Sequence, residues 1–195
     1  MARQARALET RRRLLEATVS ALSECGYAGA TTQEVCRRAG VSRGTLLHHF
    51  PTRAVLLVAG LEHVLTEVVR DFVAAHEGEA PLSPDALLAQ MWEQWQGPAL
   101  TAWLELAVAS RTSEDLQEPM RRVMADFDAL VADAFAQLVP TTSLPEPLQQ
   151  GVPVFVFATL NGLAVARSYE PVGHADTVLG LLGLLGHGVF SGEIR

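Results

Sequence analysis

The sequence predicts an all-α fold of about nine helices, with a three-helix helix-turn-helix head on a helical body. Three observations predict it. Apolar residues recur at i, i+3, i+4 spacing in segment after segment, while alternating strand patterns are weak nearly everywhere. Residues 31–50, TTQEVCRRAGVSRGTLLHHF, compress two short helices and a tight turn into twenty positions. Two late segments, 152–166 and 178–190, are apolar on almost every side, as helices covered from all directions are.

Leu14, Leu15, Thr18, Leu22 and Cys25 stripe the first helix, flanked by Arg11, Arg12 and Arg13. The glycines at 26 and 29 break it. Thr31 and Thr32 then offer hydroxyl N-caps, and Glu34 stands at capping-box spacing from Thr31. Val35, Cys36 and Ala39 face inward. Gly40 stops this second helix, because glycine reaches the left-handed conformation without steric cost. Ser42 caps the third helix, whose inward positions are Leu46 and Phe50. Its outward positions, Arg43, Gly44, Thr45, His48 and His49, are small, cationic or hydrogen-bonding. That is the make-up of a helix that reads a DNA groove.

Pro51 and Thr52 open a long fourth helix to about His76, striped by Leu57, Leu61, Val64, Leu65, Val68 and Phe72. After a break at 78–84, Leu87, Leu88, Met91, Trp92 and Trp95 mark a fifth helix that ends at Gly97-Pro98. Leu100, Trp103, Leu104, Ala107 and Val108 mark a sixth. The seventh runs from Leu116 through Met120, Val123, Phe127 and Val131 to Leu138, and 140–147 reads as a loop. The last two helices call for a partner subunit as cover, with Phe155, Leu163, Val178, Leu182 and Leu185 expected at a dimer interface. Pro153 is an awkward fit that belongs in a first turn or at a kink.

The net charge of -7 is unevenly spread. Residues 1–53 carry nine arginines against four acids, +5, and residues 54–195 carry six against eighteen, -12. A basic head on an acidic body suits a nucleic-acid partner for the head alone. The two cysteines, Cys25 and Cys36, fit neither a zinc site nor a secreted framework and read as small core residues. No apolar leader and no run of ~18 apolar residues is present, so the expectation is a soluble cytoplasmic protein without membrane contact.

Residues 10–65 resemble the DNA-binding head of the TetR family of transcriptional regulators. The resemblance rests on TRRRLLEA, GYAGATT and AGVSRGTLLHHFPTR in order, with an amphipathic helix behind them. The rest is similar in layout only, with Asn161-Gly162-Leu163 near where many members carry Asp-Gly-Leu. The resemblance implies domains at 1–53 and 54–195, a homodimer, a pseudo-palindromic double-stranded DNA operator, and repression relieved by a small molecule that displaces the fourth helix. It places Thr32, Gln33, Ser42, Thr45, His49 and Arg53 at phosphates, and Arg43 and Gly44 at base edges. Val41, Leu46 and Phe50 become core. The chain departs from the family at Leu47, where many members have tyrosine.

The same residues also match motifs of other chemistry. Gly40-Val41-Ser42-Arg43-Gly44 matches the G-x-S-x-G of serine hydrolases, but that elbow needs a strand before it and acid and histidine partners after it. His48-His49 are adjacent on a helix and point about 100° apart, which is poor for one metal ion. The chain is therefore read as a non-enzyme without cofactor or metal. For a largely apolar effector the candidate lining residues are His63, Glu67, Trp92, Trp95, Trp103, Glu105, Phe127, Asn161 and Arg167. The alternative reading is a ligand-binding or protein-interaction module of the same fold that has lost specific DNA binding.

Overall fold

The computed structural model of the protein describes residues 2–78, 82–138, 146–167, 169 and 174–190. Among them the chain forms α1 (Ala2–Gly29), α2 (Thr32–Ala39), α3 (Arg43–His49), α4 (Arg53–Ala75), α5 (Pro84–Trp95), α6 (Pro98–Ser110), α7 (Glu114–Leu138), α8 (Glu146–Arg167) and α9 (Ala175–Phe190). The expected all-α class and order of helices hold. Most of the expected 140–147 loop lies outside the described residues. Two compact units divide the chain: residues 1–68 with 97–127, and residues 69–96 with 128–195. This division by packing differs from the sequence boundary at Arg53, because α6 joins the head residues.

In the first unit α1 packs against α2 and α6, and α2 against α3. Leu14, Thr18, Ala21 and Leu22 are fully buried on the inward stripe. Thr18 satisfies its hydroxyl by donating to the Leu14 carbonyl at 2.7 Å. Gly60 of α4 is needed at this spot, since a Cβ there would sit 2.7 Å from the Thr18 methyl. The break in α1 falls at Gly26, whose φ of 67° and ψ of 179° interrupt the helix. Glu105 of α6 fills the break, and its carboxylate accepts from the Tyr27 N–H at 2.6 Å.

Beside that break one position departs from expectation. Cys25, read as core, is exposed, and its sulfur lies 3.3 Å from an Arg38 nitrogen. Cys36 is half-buried, and burial raises the pKa of its thiol.

In the second unit α5 packs against α9. Trp92, Trp95, Leu88, Val131, Val156, Leu160 and Leu182 form its interior. The Trp95 indole N–H donates to Asn161 Oδ1 at 2.8 Å, and its ring meets Phe157 edge-on at 5.1 Å. His76 of α4 reaches Gln90 of α5 at 2.6 Å. Pro153 lies well inside α8, because the helix starts upstream at Glu146.

Candidate nucleic-acid interface

The helix-turn-helix is built by local capping. Thr31 Oγ1 accepts from the Glu34 N–H at 3.1 Å, and Ser42 Oγ accepts from the Thr45 N–H at 3.1 Å, so each helix begins on a hydroxyl. Between them Gly40 takes the left-handed conformation, φ 63° and ψ 39°, and its N–H returns to the Cys36 carbonyl. The capping box is only half made. The Thr31 N–H goes to the Gly29 carbonyl instead. The Glu34 carboxylate is taken by Arg37 and Arg38 at 2.6 and 2.7 Å. Those hydrogen bonds, Arg37's first, hold its pKa down to about 2.

Leu46 and Phe50 anchor α3 by burial, and Arg11 lies over the Phe50 ring at 4.7 Å. Val41, expected in the core, is only half-buried. On the outer face Ser42, Arg43, Gly44, Leu47 and His48 are exposed, while Thr45 and His49 are half-buried. At the start of α2, Thr32 is half-buried and Gln33 exposed.

Most of the arginines described in the head are already engaged. Arg12 pairs with Glu9 and Glu16, Arg13 donates to the Ala39 carbonyl, and Arg38 also pairs with Glu24 at 2.9 Å. Arg43 forms no hydrogen bond or ion pair with any described residue. Its guanidinium, five donors in a rigid fork, is open to an external acceptor.

Arg53 requires a correction. Expected at a phosphate, it is turned inward: Nε donates to the Ala30 carbonyl at 3.0 Å and Nη2 donates to the Tyr27 carbonyl. The guanidinium also lies over the Tyr27 ring at 4.2 Å. Tyr27 and Ala30 stand at and just past the C-terminal end of α1, where carbonyls lack helical partners, and Arg53 serves both.

Burial, then the neighbouring charges of His48 and Arg11, lower the pKa of His49. An unfolded histidine takes its proton near pH ~6.5. The folded head takes it at lower pH, so the unfolded state holds more protons between the two values. Stability should therefore fall as pH drops through about 6.5. His49→Gln should flatten that acid limb in urea midpoints measured between about pH 7.5 and 5.5. An unchanged limb would remove His49 as its source.

The G-x-S-x-G match resolves into capping chemistry. Ser42 follows helix α2 rather than a strand, and its hydroxyl serves the N-terminus of α3 while lying 2.9 Å from the Thr45 hydroxyl.

The residues expected to line an effector pocket divide between the units. Trp92, Trp95, Asn161 and Arg167 belong to the second, where Arg167 lies over Trp92 at 5.7 Å. His63, Glu67, Trp103, Glu105 and Phe127 belong to the first. There Phe127 is buried and Trp103 half-buried. His63 Nε2 is 3.3 Å from Glu67 Oε2, yet too far out of line for a hydrogen bond. Glu105 is corrected from a ligand group to the cap on Tyr27 described above.

Described residues of the second unit line a groove and a smaller cavity. The groove of about 520 Å³ runs along α4 and α7, beside Arg70, His76, Asp133 and Gln137. The smaller cavity of about 110 Å³ is apolar throughout, lined by Leu87, Leu88, Met91, Phe135, Val156 and Leu182 among others. Neither is lined by a tryptophan, and the apolar spacing that suggested those rings marks interior packing equally well.

The expected interface residues also separate. Phe155 and Leu185 are exposed, at 55% and 51%, whereas Leu182 is 7% exposed and faces its own unit. Leu163 and Val178 are half-buried. Open apolar positions on α8 and α9 that sequence reasoning missed include Val154, Leu181 and Leu184.

Two capped helices around a glycine turn, the second with an open arginine on its outer face, define a helix-turn-helix DNA-binding protein. The family model for bacterial regulatory proteins of the tetR family matches residues 14–59. Over 171 residues the chain is 33% identical to an uncharacterised HTH-type transcriptional regulator of Mycobacterium tuberculosis, covering 86% of this chain and 87% of that protein. It is 30% identical over 170 residues to the HTH-type transcriptional regulator CymR of Pseudomonas putida, covering 85% and 82%. A TetR-family transcriptional regulator from Rhodococcus sp. has a similar crystal structure, with a TM-score of 0.73 at 25% identity over 93% of this chain and 98% of that one. The chain belongs to the TetR family and is a DNA-binding transcriptional regulator.

Among the described residues, no helix is long and apolar enough to cross a membrane.

Proposed function

We propose that the protein binds a pseudo-palindromic operator as a homodimer, represses transcription from it, and is released by a small, largely apolar effector. The observation that carries this reading is the outer face of α3, where Arg43 is exposed beside Gly44 and Leu47 and has no hydrogen-bond or ion-pair partner among the described residues. An arginine fork matches guanine O6 and N7 in the major groove, and a neighbouring glycine lets the helix approach closely. Thr32, Gln33, Ser42, Thr45 and His49 surround it as phosphate ligands.

Dimerisation is supported by the apolar side chains that α8 and α9 leave open. Val154, Phe155, Leu181, Leu184 and Leu185 are each at least half exposed, and a patch of that kind favours a protein partner. For the effector, the 110 Å³ cavity of the second unit favours a small apolar molecule. The relay is assigned to α4, whose residues contribute to both units. A coupling of ~1–3 kcal/mol suffices to change occupancy.

Selection of random duplex DNA by the purified protein, followed by sequencing, tests the reading. The expected product is a palindrome whose half-sites lie about 34 Å apart, or a multiple of that. Arg43→Ala should then lose ~1–3 kcal/mol of discrimination at one guanine per half-site. An equal loss at all sequences would remove the base-reading role. No enriched sequence would favour a module that has lost specific DNA binding.

A further inference from the structure

We infer that Leu47 is a specificity-determining residue that recognises the 5-methyl group of one thymine in each operator half-site. The inference deepens the proposed operator binding and rests on α3 being the groove-reading helix.

Leu47 is 44% exposed on a face whose other members are polar, cationic or bare backbone. Arg43 and Leu47 stand at i and i+4, and Gly44 and His48 repeat that spacing, so the four share one helical face. Gly44 keeps this face flat: the nearest atom to a Cβ built there is the Ser42 hydroxyl at 3.8 Å. Leu47 therefore presents its exposed part beside a position that carries no side chain. The leucine on the inward side, Leu46, is fully buried and already supplies the helix's anchor.

A leucine can neither donate to phosphate nor hydrogen-bond to a base edge. Among the groups that the four standard bases show in the major groove, the apolar one is the C5 methyl of thymine. An apolar side chain on the reading face thus discriminates by methyl burial. Four helical residues span about 6 Å along the axis, or roughly two base-pair steps of ~3.4 Å. The thymine is accordingly placed within about two base pairs of the guanine read by Arg43. 5-Methylcytosine displays the same methyl, so the test must separate the two sources.

The test uses the palindrome obtained by selection. Each thymine is replaced in turn, symmetrically, by deoxyuridine, which removes the methyl and leaves the pairing intact. Affinities are measured for the intact protein and for Leu47→Ala and Leu47→Met, with thermal melting to confirm that each variant is folded. Burying one methyl is worth about fourfold in affinity, so about fifteenfold is expected when both half-sites lose it. That penalty should appear at one symmetric thymine pair for the intact protein and for Leu47→Met, and shrink below about twofold for Leu47→Ala. No sensitive thymine, or one equally sensitive with Leu47→Ala, would overturn the inference while leaving operator binding intact. If the selected base is a cytosine and its 5-methylation strengthens binding, the assignment to thymine falls. Failure to select any sequence would overturn the groove-reading role of α3 together with this inference.

Discussion

Aspartate at Leu182 is expected to unfold the second unit, whereas aspartate at Leu184 should split the dimer and leave each subunit folded. The two leucines are two residues apart on α9, yet Leu182 is 7% exposed and Leu184 is 69% exposed. At Leu182 the substitution removes a buried side chain worth ~1.5–3 kcal/mol and places an unpaired carboxylate in an apolar interior. The combined cost, about 5 kcal/mol, is comparable with the whole stability of a marginal domain. At Leu184 the charge is free in the monomer and meets the same charge, or apolar surface, across a two-fold interface. Circular dichroism with sedimentation velocity separates the outcomes. A folded, dimeric Leu184→Asp protein would refute the interface on this side of α9. A folded Leu182→Asp protein would refute the interior position.

Removing the Arg53 side chain should cost the head about 2–4 kcal/mol, chiefly in stability rather than in DNA contact. Its guanidinium serves two backbone carbonyls, Ala30 and Tyr27, and lies over the Tyr27 ring. Hydrogen bonds from a charged donor contribute ~1.5–3 kcal/mol each, and the carbonyls left behind lose their partners. Lysine should rescue little, because an ammonium lacks the fork that serves both oxygens. The urea midpoint should fall for Arg53→Ala, while the slope of DNA affinity against salt stays near that of the intact protein. A flattened salt slope at unchanged stability would return Arg53 to the phosphate backbone.

The helix-turn-helix was legible because its rules are local. Thr31, Gly40 and Ser42 do what their side chains and spacing dictate within four residues. Legibility ended where distant segments compete for the same group. Glu34 has capping-box spacing, but Arg37 and Arg38 reach its carboxylate first. Cys25 continues an apolar stripe, yet it is exposed, next to the Gly26 break. Glu105 reads as an isolated acid on an apolar helix, and nothing near it announces the Tyr27 N–H. A helix apolar all round has no periodic signal to say which side meets its own core. Leu182, expected at the interface, is therefore buried in its own unit, while Leu184, not expected there, is exposed. Pro153 was awkward only under the assumption that its helix began beside it.

The Glu105 cap also bears on the order in which the protein can mature during synthesis. The DNA-reading head is encoded first, yet its opening helix is completed by a carboxylate 78 positions later in the chain. The nearby Ser23 hydroxyl donates to the Pro98 carbonyl at 3.2 Å, across a gap of 75. A ribosome-bound chain that has exposed only its first sixty residues holds the complete helix-turn-helix motif but lacks the segment that closes α1. Since loop closure over such a span precedes any reward from the contact, the head sets its final form after α6 has emerged. The head thus reaches its final form only in a chain that extends at least through α6.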